Sequence, residues 1–589
     1  MTRFFEVTAR DGPARIGKLL VRGGLETPYL LSPATGEDLV VNGGNKWLHS
    51  PVTGTVEQFT VQPYVGLTPK VNEDLVRLYQ PADIASDTPS ATLAHPDKVV
   101  SGADMYVISG VRSIEGDSRA LLHSFIQIRN NSKPDTALYV PALATPENVS
   151  LLIYLSADIV DDVLTTIKAY QGLYLTQDGE YPVKDLAELP CTCDACTKMT
   201  GGQKSDPELL AAHNRAKLRE EISRVKIHIR NGMLREYVEK QCRSKPWLTA
   251  LLRLADAEYT YLESRTPTYR SSELLACSAE SQNRVEVRRF ADRLRQRFSS
   301  DGKILIIIPC SARKPYSTSQ SHMAIINALG KYRRYVREII LTSPMGVVPR
   351  ELELVYPAAH YDVAVTGVWD LEERHWVSGC LRDFIDNNRF ERVIAHVEGP
   401  YVEVCAQADR EMIFTSTGKV SSDESLRALV DQVKLVVDEL APQPRNFEQY
   451  LLDMFRKMAD YEFGKGRGDL LVPQKGIVKG KFPRMTLFDG REQLCTINPA
   501  YGSLTLTLEG ARRMKLTDQY FVEITDFMPR GSILAPGVVN ADPQIRPGDD
   551  VFIIGKKAIG VGRAKMSGRE MVEASRGMAV ELKHVEPVK

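Results

Sequence analysis

The sequence predicts a multidomain protein of the α/β class, and three observations support this. At about 150 residues per domain, 589 residues correspond to roughly four domains. A continuous aliphatic run at 303–309 is typical of a buried parallel strand. Similar runs, separated by helical patterns, follow at 338–343, 362–367 and 392–397. After 502 the chain becomes Gly-rich and β-like, which indicates a small β-barrel at its end.

The first part of the chain predicts a further α/β domain and a long helical region. Residues 1 to about 190 mix short apolar runs, such as VSLLIYL at 149–155, with helix-like stretches and frequent Gly or Pro. From 208 to 242, Leu, Ala, Ile, Val and Met recur at three- and four-residue spacing between charges, which predicts helix. The segment 441–446, APQPRN, carries two prolines and is interpreted as a linker.

These patterns divide the chain into five segments. Near its end, 551–566 contains two apolar runs across a Gly-Lys-Lys turn, as in a hairpin. The expected segments are a first α/β domain at 1–245, a helical connection at 246–295, a second α/β domain at 296–440, a small α+β domain at 446–506 and the β-barrel at 507–589.

Composition excludes several classes of protein. The charges balance, with Lys+Arg 75 and Asp+Glu 75, so any nucleic-acid surface must be local. Apolar residues make up 43% and charged residues 25%, which excludes disordered, collagen-like and coiled-coil chains. No apolar stretch reaches signal-peptide or membrane-span length, so a soluble, unexported protein is expected. Nine cysteines, three of them between Cys191 and Cys196, do not form a disulfide framework and favour the reducing cytoplasm.

Three closely spaced cysteines predict a structural zinc site. Cys191, Cys193 and Cys196 form C-T-C-D-A-C, and His213 follows in the helical region. Three thiolates and one imidazole complete a tetrahedral zinc set and leave no position for water, so such a metal would be structural. The alternative is that His213 is an ordinary helix histidine and the cysteines are incidental.

A second cysteine, Cys310, lies where α/β sheets place their chemistry. It follows the strand at 303–309 and precedes a helix predicted to begin near Thr318. Arg313, Lys314 and the helix amino end would favour its thiolate. The alternative is a buried cysteine before a Pro-containing turn, and the chemistry alone leaves both interpretations open. Further polar groups of the loop are a possible proton carrier, His322, and the hydroxyls of Tyr316, Ser317 and Ser319.

The first half of the chain resembles the tRNA-guanine transglycosylases. The resemblance runs from ALATPENVSLLIYLSADIVDDVL to ELPCTCDAC, with LLAAHN after it. It implies a TIM-barrel-like domain in which Asp161 occupies the position of the nucleophile, and Cys191, Cys193, Cys196 and His213 hold zinc. The Asp-Ser-Gly-Gly string and the Gly-Leu-Ala segment of that family do not occur in this sequence. We therefore expect a degenerate barrel that does not exchange bases.

The loop around Cys310 resembles the hallmark of archaeosine synthases, Pro-Cys-x3-Lys-Pro-Tyr-x2-Ser-x2-His. Members of that family convert the nitrile of 7-cyano-7-deazaguanine, at position 15 in the D-loop of tRNA, to an amidine. Many add free lysine, and a radical-SAM partner then cleaves the adduct to archaeosine. The resemblance implies zinc as the metal, no organic cofactor or ATP, and an open possibility of a homodimer. On this resemblance the catalytic residues are Cys310, Lys314, Tyr316, Ser319 and His322.

The end of the chain resembles an RNA-binding module. Residues 450–475 are similar to the small linker domain of archaeal transglycosylases, and the last 80 or so are similar to a PUA domain, which implies binding of the tRNA acceptor stem. We expect glycines that let the backbone approach RNA at Gly531, Gly537, Gly560 and Gly562. The candidates for phosphate contact are Arg512, Arg513, Lys556, Lys557, Arg563 and Lys565. Turn glycines and a solvated basic rim are the alternative.

The chemistry of a nitrile fits this loop. A thiolate at Cys310 could form a thioimide that an amine displaces, with Lys314 or His322 protonating the nitrogen. Direct attack by the amine is the alternative mechanism. Further polar candidates for holding lysine or ribose are Glu351, Glu353, Asp370 and His396, each of which is also typical of a structural residue. Two rival functions are a working transglycosylase and a non-catalytic tRNA-binding scaffold.

Overall fold

The chain folds into two compact units. The computed structural model describes residues 4–20, 24–32, 40–43, 58–62, 90–97, 99, 101–200, 206–365 and 367–588. The first unit comprises Met1–Thr266, Leu534–Val538 and Arg569–Ala579, and the second comprises Pro267–Ile533, Val539–Gly568 and Val580–Lys589. The finer division into five segments stays a prediction. Within the described residues, no helix combines the length and the apolar character needed to cross a membrane.

The first unit is built on a parallel sheet. A three-stranded antiparallel sheet opens the chain, with β1 at Phe5–Asp11, β2 at Ala14–Leu19 and β3 at Leu25–Thr27. The parallel sheet has the order β4-β10-β9-β8-β7-β6-β5, so its first strand along the chain lies beside its last, as in a barrel. Its strands are β4 Tyr29–Leu31, β5 Val40–Gly43, β6 Gln58–Gln62, β7 Ser90–Ala94, β8 Met105–Ile108, β9 Ala137–Val140 and β10 Ile159–Asp161.

Helices and one short hairpin complete the first unit. The hairpin pairs β11, Leu173–Leu175, with β12, Glu180–Pro182. The predicted helical region at 208–242 is confirmed as two helices, because Gly232 ends the first with φ +64°. The helices are α1 Ser118–Asn131, α2 Val149–Tyr154, α3 Val163–Tyr170, α4 Asp194–Lys198, α5 Pro207–Asn231, α6 Leu234–Gln241, α7 Pro246–Ala257 and α8 Tyr259–Glu263.

The apolar run VSLLIYL forms a buried helix. Its first six residues are α2, and all six are buried. A segment buried on every side has no apolar period, so its sequence pattern does not distinguish helix from strand.

The second unit contains the predicted central sheet. Its order is β16-β15-β14-β18-β19, in which β14, Ile304–Pro309, is central and fully buried. The strands are parallel except β16, which runs antiparallel to β15. The others are β15 Val336–Thr342, β16 Gly346–Pro349, β18 Arg392–Ala395 and β19 Ile413–Phe414.

The run at 362–367 does not join this sheet. Among the described residues of this run, 362–365 and 367, only 362 and 363 belong to a strand, β17 at Tyr361–Val363, and it pairs with β13, Leu274–Ala276, outside the central sheet. The alternating pattern of this run is exposed rather than buried, so its likeness to the central strands was superficial. The helices of this part are α9 Val285–Arg297, α10 Gln320–Leu329, α11 Leu371–Asn388, α12 Pro400–Gln407 and α13 Asp423–Leu440.

The rest of the chain is an α+β segment followed by a β-rich one, and of the latter Leu534–Val538 and Arg569–Ala579 belong to the first unit. Helices α14, Phe447–Phe463, and α15, Arg467–Leu471, precede an antiparallel four-stranded sheet. Its strands are β20 Ile477–Lys481, β21 Arg484–Asp489, β22 Glu492–Asn498 and β23 Ser503–Leu506. The remaining elements are α16 Leu508–Arg513, β24 Phe521–Ile524, β25 Ser532–Leu534, β26 Val538–Ala541, β27 Asp550–Ile554, β28 Ala558–Ala564, α17 Gly568–Glu573 and β29 Met578–Pro587. The predicted hairpin at 551–566 is confirmed as β27 and β28.

Candidate active site

Cys310 lies at the carboxyl end of the central strand. The six residues of β14 before it are buried, whereas Cys310 itself is half-buried and open to a ligand. Its Sγ is 3.0 Å from the hydroxyl oxygen of Tyr401. Tyr401 is the second residue of α12, which follows the neighbouring strand β18, so the carboxyl ends of two parallel strands meet here. Burial and the nearby Cys310 raise the pKa of Tyr401, so its hydroxyl keeps its proton.

Lys314 places a positive charge beside this sulfur. Its Nζ lies 3.9 Å from the centre of the Tyr361 ring, in a cation–π contact. Burial lowers the pKa of Lys314, and the charges of Cys310 and Asp362 oppose that shift. Among the residues that the structure describes, its ammonium has no hydrogen-bond or carboxylate partner. A half-buried ammonium without such a partner is available to a ligand.

Tyr316 packs on the buried side of the Cys310 loop. Its side chain is fully buried, and its hydroxyl lies 2.9 Å from that of Tyr361. The Tyr361 hydroxyl in turn contacts that of Thr342, at the end of β15. Burial raises the pKa of Tyr316 well above its ordinary value. The hydroxyls of Tyr316, Tyr361 and Thr342 therefore form a buried hydrogen-bonded row that holds the Cys310 loop in place, and they are not exposed to a substrate.

Ser319 and His322 anchor the start of α10. Ser319 is the amino-terminal cap, and its Oγ accepts from the backbone N–H of His322. The His322 ring is buried, with its Nε2 donating to the carbonyl of Pro309 at 3.0 Å and its Nδ1 accepting from Arg350 at 2.9 Å. Burial and Arg350 lower the pKa of His322 to about 3. With both ring nitrogens engaged, His322 is placed to hold the backbone before Cys310 and not to carry a proton.

A buried network of charges holds this arrangement. Arg350 donates to Glu338 at 2.7 Å and to Glu353 at 3.0 Å, and Glu353 accepts from the backbone N–H of Ser317 at 2.8 Å. Burial alone would raise the pKa of Glu338, but Arg350 and Arg333 lower it to about 2. The network ties the loop to the sheet through charges that are fully paired.

The other polar candidates of this domain have structural partners. Glu351 accepts from Arg445 at 2.9 Å. Asp370 caps α11 in a reciprocal pair with Glu373. His396 is fully buried, and its ring nitrogens bond Thr415 and the carbonyl of Val420. With Glu353 in the network above, all four match the structural alternative.

Asp161 is buried and held by three donors. It ends β10, and its carboxylate accepts from the Tyr139 hydroxyl at 2.6 Å and from the backbone N–H groups of Ala142 and Val163. Burial raises its pKa. These three donors fix the position of the Asp161 carboxylate.

The predicted metal ligands come together. Ligand atoms of Cys191, Cys193, Cys196 and His213 all lie within 4.8 Å of one another. Nδ1 of His213 lies 3.2 Å from the sulfur of Cys196, while its Nε2 donates to the carbonyl of Leu175 at 3.0 Å. That bond fixes the tautomer in which Nδ1 faces the sulfurs, which is the usual arrangement of a metal-bound histidine.

The electrostatics of the cluster favour a bound cation. Burial raises the pKa of Cys196 to about 12 and lowers that of His213 to about 4. The Tyr174 ring stacks on that of His213 at 3.9 Å and closes the cluster on one side. A divalent ion would bind the neutral imidazole and make the thiolates favourable. The donor set therefore fits a metal ion.

Comparison with known proteins assigns the family. "Archaeosine synthase subunit alpha" of Methanosarcina acetivorans is 43% identical over 99% of this chain and 100% of that protein. "Archaeosine synthase" of Haloferax volcanii is 40% identical over the full length of both chains. The chain belongs to the archaeosine synthase family. The tRNA-guanine(15) transglycosylase of Methanothermobacter thermautotrophicus is more distant, at 26% identity over 79% of this chain and 68% of that protein.

Four family models match successive parts of this chain in the expected order. The descriptions are Queuine tRNA-ribosyltransferase at 92–246, Domain of unknown function (DUF5591) at 287–433, Patch-forming domain C2 of tRNA-guanine transglycosylase at 453–520 and PUA domain at 523–585. These matches confirm the predicted fold class. Among solved structures, AF0587, a protein of unknown function, is 32% identical and covers 51% of this chain and 99% of its own, with a TM-score of 0.42.

The PUA segment corrects part of the predicted RNA surface. Arg563 is buried and donates to Asp550 and to the Tyr269 hydroxyl, so it is a core residue. A Cβ at Gly560 would lie 2.6 Å from the carbonyl of His584, and one at Gly562 would lie 2.5 Å from Val580. These two glycines admit the neighbouring strand β29 and not RNA.

Other predicted basic residues stay at the surface. Arg512, Arg513 and Lys565 are paired with Glu586, Glu509 and Glu581, respectively. Lys556 and Lys557 are exposed in the turn between β27 and β28, and Lys557 is 62% exposed beside Asp526. Gly531 has φ +90° with open space around it, and Gly537 lies in a 3₁₀ turn, Ala535–Gly537.

Tyr401 was not among the site residues predicted from the sequence. It lies 91 residues from Cys310 in the sequence and belongs to no recognised motif. A signal was present, since Gly399-Pro400-Tyr401 follows the strand beside β14. In a parallel sheet, groups after adjacent strands share one edge.

Proposed function

We propose that this protein adds an amine, free lysine, to the nitrile of 7-cyano-7-deazaguanine at position 15 of tRNA and forms an amidine. Its family places it in archaeosine biosynthesis in tRNA. The observation that carries the proposal is the position of the Cys310 sulfur, at the carboxyl end of β14, 3.0 Å from the Tyr401 hydroxyl and beside the ammonium of Lys314.

Cys310 is the nucleophile in this proposal. Its sulfur adds to the nitrile carbon, so that one S–C bond forms and one carbon–nitrogen π bond becomes an N–H bond of a thioimide. Lys314 supplies this proton because its ammonium is close to the sulfur and half-buried. The neutral amine of lysine then adds to the same carbon and gives one N–H proton back to the Lys314 amine, while the S–C bond breaks and the sulfur leaves as the thiolate. The products are an amidine and free Cys310, with no oxidant or reductant consumed.

The other motif residues position this chemistry. Tyr316 and Ser319 fix the loop and the start of α10, and His322 holds the Pro309 carbonyl next to Cys310. In this role they keep the sulfur in place while substrate binds. We assign the proton transfers to Lys314, since His322 has no free ring nitrogen.

Base exchange is not part of this proposal. Transglycosylase chemistry needs a free carboxylate nucleophile, and the Asp161 carboxylate accepts from Tyr139, Ala142 and Val163. A covalent bond from Asp161 to a ribose would forfeit these bonds inside a buried site.

We propose zinc as the ion of the cysteine cluster. Three thiolates and one imidazole form a closed set that Zn²⁺ prefers, and they leave no position for a reacting water. Zinc there supplies no chemistry to the reaction. It fixes the cysteine loop and α4 to α5.

We propose tRNA, lysine and a radical-SAM lyase as partners. The PUA and transglycosylase-type matches support binding of tRNA. The amidine adduct keeps the carbon skeleton of lysine, so a second enzyme must cleave it to release archaeosine. A homodimer is compatible with this scheme and is a matter for solution measurement.

Mass spectrometry of tRNA tests the proposal. Pure protein, nitrile-bearing tRNA and lysine should give a base heavier by the mass of one lysine. Cys310→Ala should abolish this product while tRNA affinity stays within about twofold. Omitting lysine should trap a protein–RNA thioimide that disappears when lysine is added.

Two results would contradict parts of the proposal. Near-normal turnover by Cys310→Ala would end the catalytic role of the thiol. An inactive alanine variant without any trapped adduct in the wild type would favour direct attack by the amine.

A further inference from the structure

An aromatic side chain not assigned to the reaction lies one ring away from the thiol. The ring centroids of Trp369 and Tyr401 are 4.8 Å apart in an edge-on arrangement, and the Tyr401 hydroxyl is 3.0 Å from the Cys310 sulfur. Trp369 is half-buried, so part of its indole is open. Tyr401 therefore joins the indole to the reacting sulfur.

The chain around Trp369 exposes apolar side chains. Val365 is 78% exposed and Val368 is 75% exposed, and Leu371 at the start of α11 is 57% exposed. Three large apolar residues exposed within seven positions are uncommon on a surface that meets only water. The segment indicates a ligand with an apolar face.

Cations lie on the Cys310 loop nearby. Lys314 has no hydrogen-bond or carboxylate partner among the described residues. Arg313 is exposed and, within the part of the chain that the structure describes, makes no ion pair. Single-stranded nucleotides bind surfaces that combine an aromatic face with cations, since bases stack on the ring and phosphates meet the charges.

We propose that Trp369 stacks on the deazaguanine base after it leaves the tRNA stack, and so directs its nitrile to Cys310. This inference rests on the proposed function. A base paired and stacked in folded tRNA does not present its nitrile to a thiol at the edge of a sheet, so it must first be extruded. Stacking on the open part of the indole fixes the plane of the base and leaves its edge free to face the sulfur.

A protein partner is the other occupant that an apolar surface suggests. The observations favour the base, because the indole contacts Tyr401 of the site itself and the Cys310 loop carries Arg313 and Lys314. The apolar surface of Val365 and Val368 then borders the extruded nucleotide.

A double-mutant cycle tests the stacking contact without turnover. Full-length Cys310→Ala protein, with and without Trp369→Leu, is titrated with two tRNAs. One carries 7-cyano-7-deazaguanine at position 15, and the other has an abasic nucleotide there. The cost of extrusion and the phosphate contacts cancel in the ratio of the four dissociation constants. We expect a coupling of roughly tenfold, since stacking of one base is worth about 1–3 kcal/mol.

Two matched variants make the test specific. Trp369→Phe keeps an aromatic face and should retain most of the coupling, whereas Trp369→Leu keeps only apolar volume. Leu435→Ser removes exposed apolar surface on α13, away from the site, and should leave the coupling unchanged. Coupling near one for Trp369→Leu, or equal effects of Leu and Phe, would overturn the inference. The cycle measures binding and not turnover. A finding that Cys310 is not catalytic would therefore contradict the proposed function without affecting the coupling measured here.

Discussion

His322 links the site to pH through a single side chain. Its pKa is about 3 in the folded protein, because of burial and Arg350, against about 6.5 in an unfolded chain. The folded state therefore holds the ring neutral, while the unfolded state takes up a proton below pH 6.5. The stability that His322 contributes is complete above pH 6.5 and is lost as pH falls toward 3.

Replacement of His322 isolates this contribution. We expect the free energy of unfolding of the wild type to fall more steeply than that of His322→Gln between pH 6 and 4. The difference in slope should be about 1.4 kcal/mol per pH unit, which corresponds to one proton. Denaturant unfolding of both proteins at several pH values measures it, and His213 is common to both. Parallel curves would show that His322 is not held neutral.

At this scale, the sequence predicted only those site residues that lie close together along the chain. Cys310, Lys314 and His322 lie within 13 residues, and their order after a buried strand was enough to bring them together. Their roles were less predictable, since the bonds of His322 to Pro309 and Arg350 depend on folding. Tyr401 and Trp369 come from other strand ends, and no local spacing relates them to Cys310.

The cysteine loop shows how one element depends on another. Its three sulfurs meet the imidazole of α5, so a metal there would hold loop and helix together. We expect Cys193→Ser to lower the bound zinc below one per chain and to lower the free energy of unfolding by at least about 2 kcal/mol.

Metal analysis and thermal unfolding check this expectation. Cys277→Ser is the matched control, because Cys277 is exposed and lies outside the cluster. It should keep full zinc and stability. A wild-type protein purified without chelators that contains no zinc would remove the site.

Some helices and strands were easier to predict from the sequence than others. Helix α5 was predictable because it is amphipathic, begins with Asp206 and Pro207, and ends at Gly232. Helix α2 was not, since burial on all sides removes the apolar period. The run at 362–367 was predicted wrongly for a different reason, because its described residues after Tyr361 are mostly exposed and do not enter the central sheet.

The whole molecule has no net charge, so its affinity for tRNA must come from local cations. Lys556 and Lys557 are exposed in the turn between β27 and β28. We expect Lys556→Glu with Lys557→Glu to weaken tRNA binding and to reduce the salt dependence of the association constant by roughly two phosphate contacts, about 0.9 in logarithmic slope for each.

Titrations at several salt concentrations measure this change. Lys434→Glu is the control, since Lys434 is exposed on α13, outside the PUA segment. It should leave the slope unaltered. Equal slopes for the double variant would place the RNA contacts elsewhere on the molecule.

The charge network beneath the Cys310 loop has a consequence for hydrogen exchange. Irregular loops ordinarily exchange their amide protons quickly because they open locally. The Ser317 amide instead donates to Glu353, which is buried and paired with Arg350. Opening this amide would remove one of the donors to a buried carboxylate, so we expect Ser317 to exchange more slowly than the exposed amides of the same loop. A fast-exchanging Ser317 would show that the loop opens on its own.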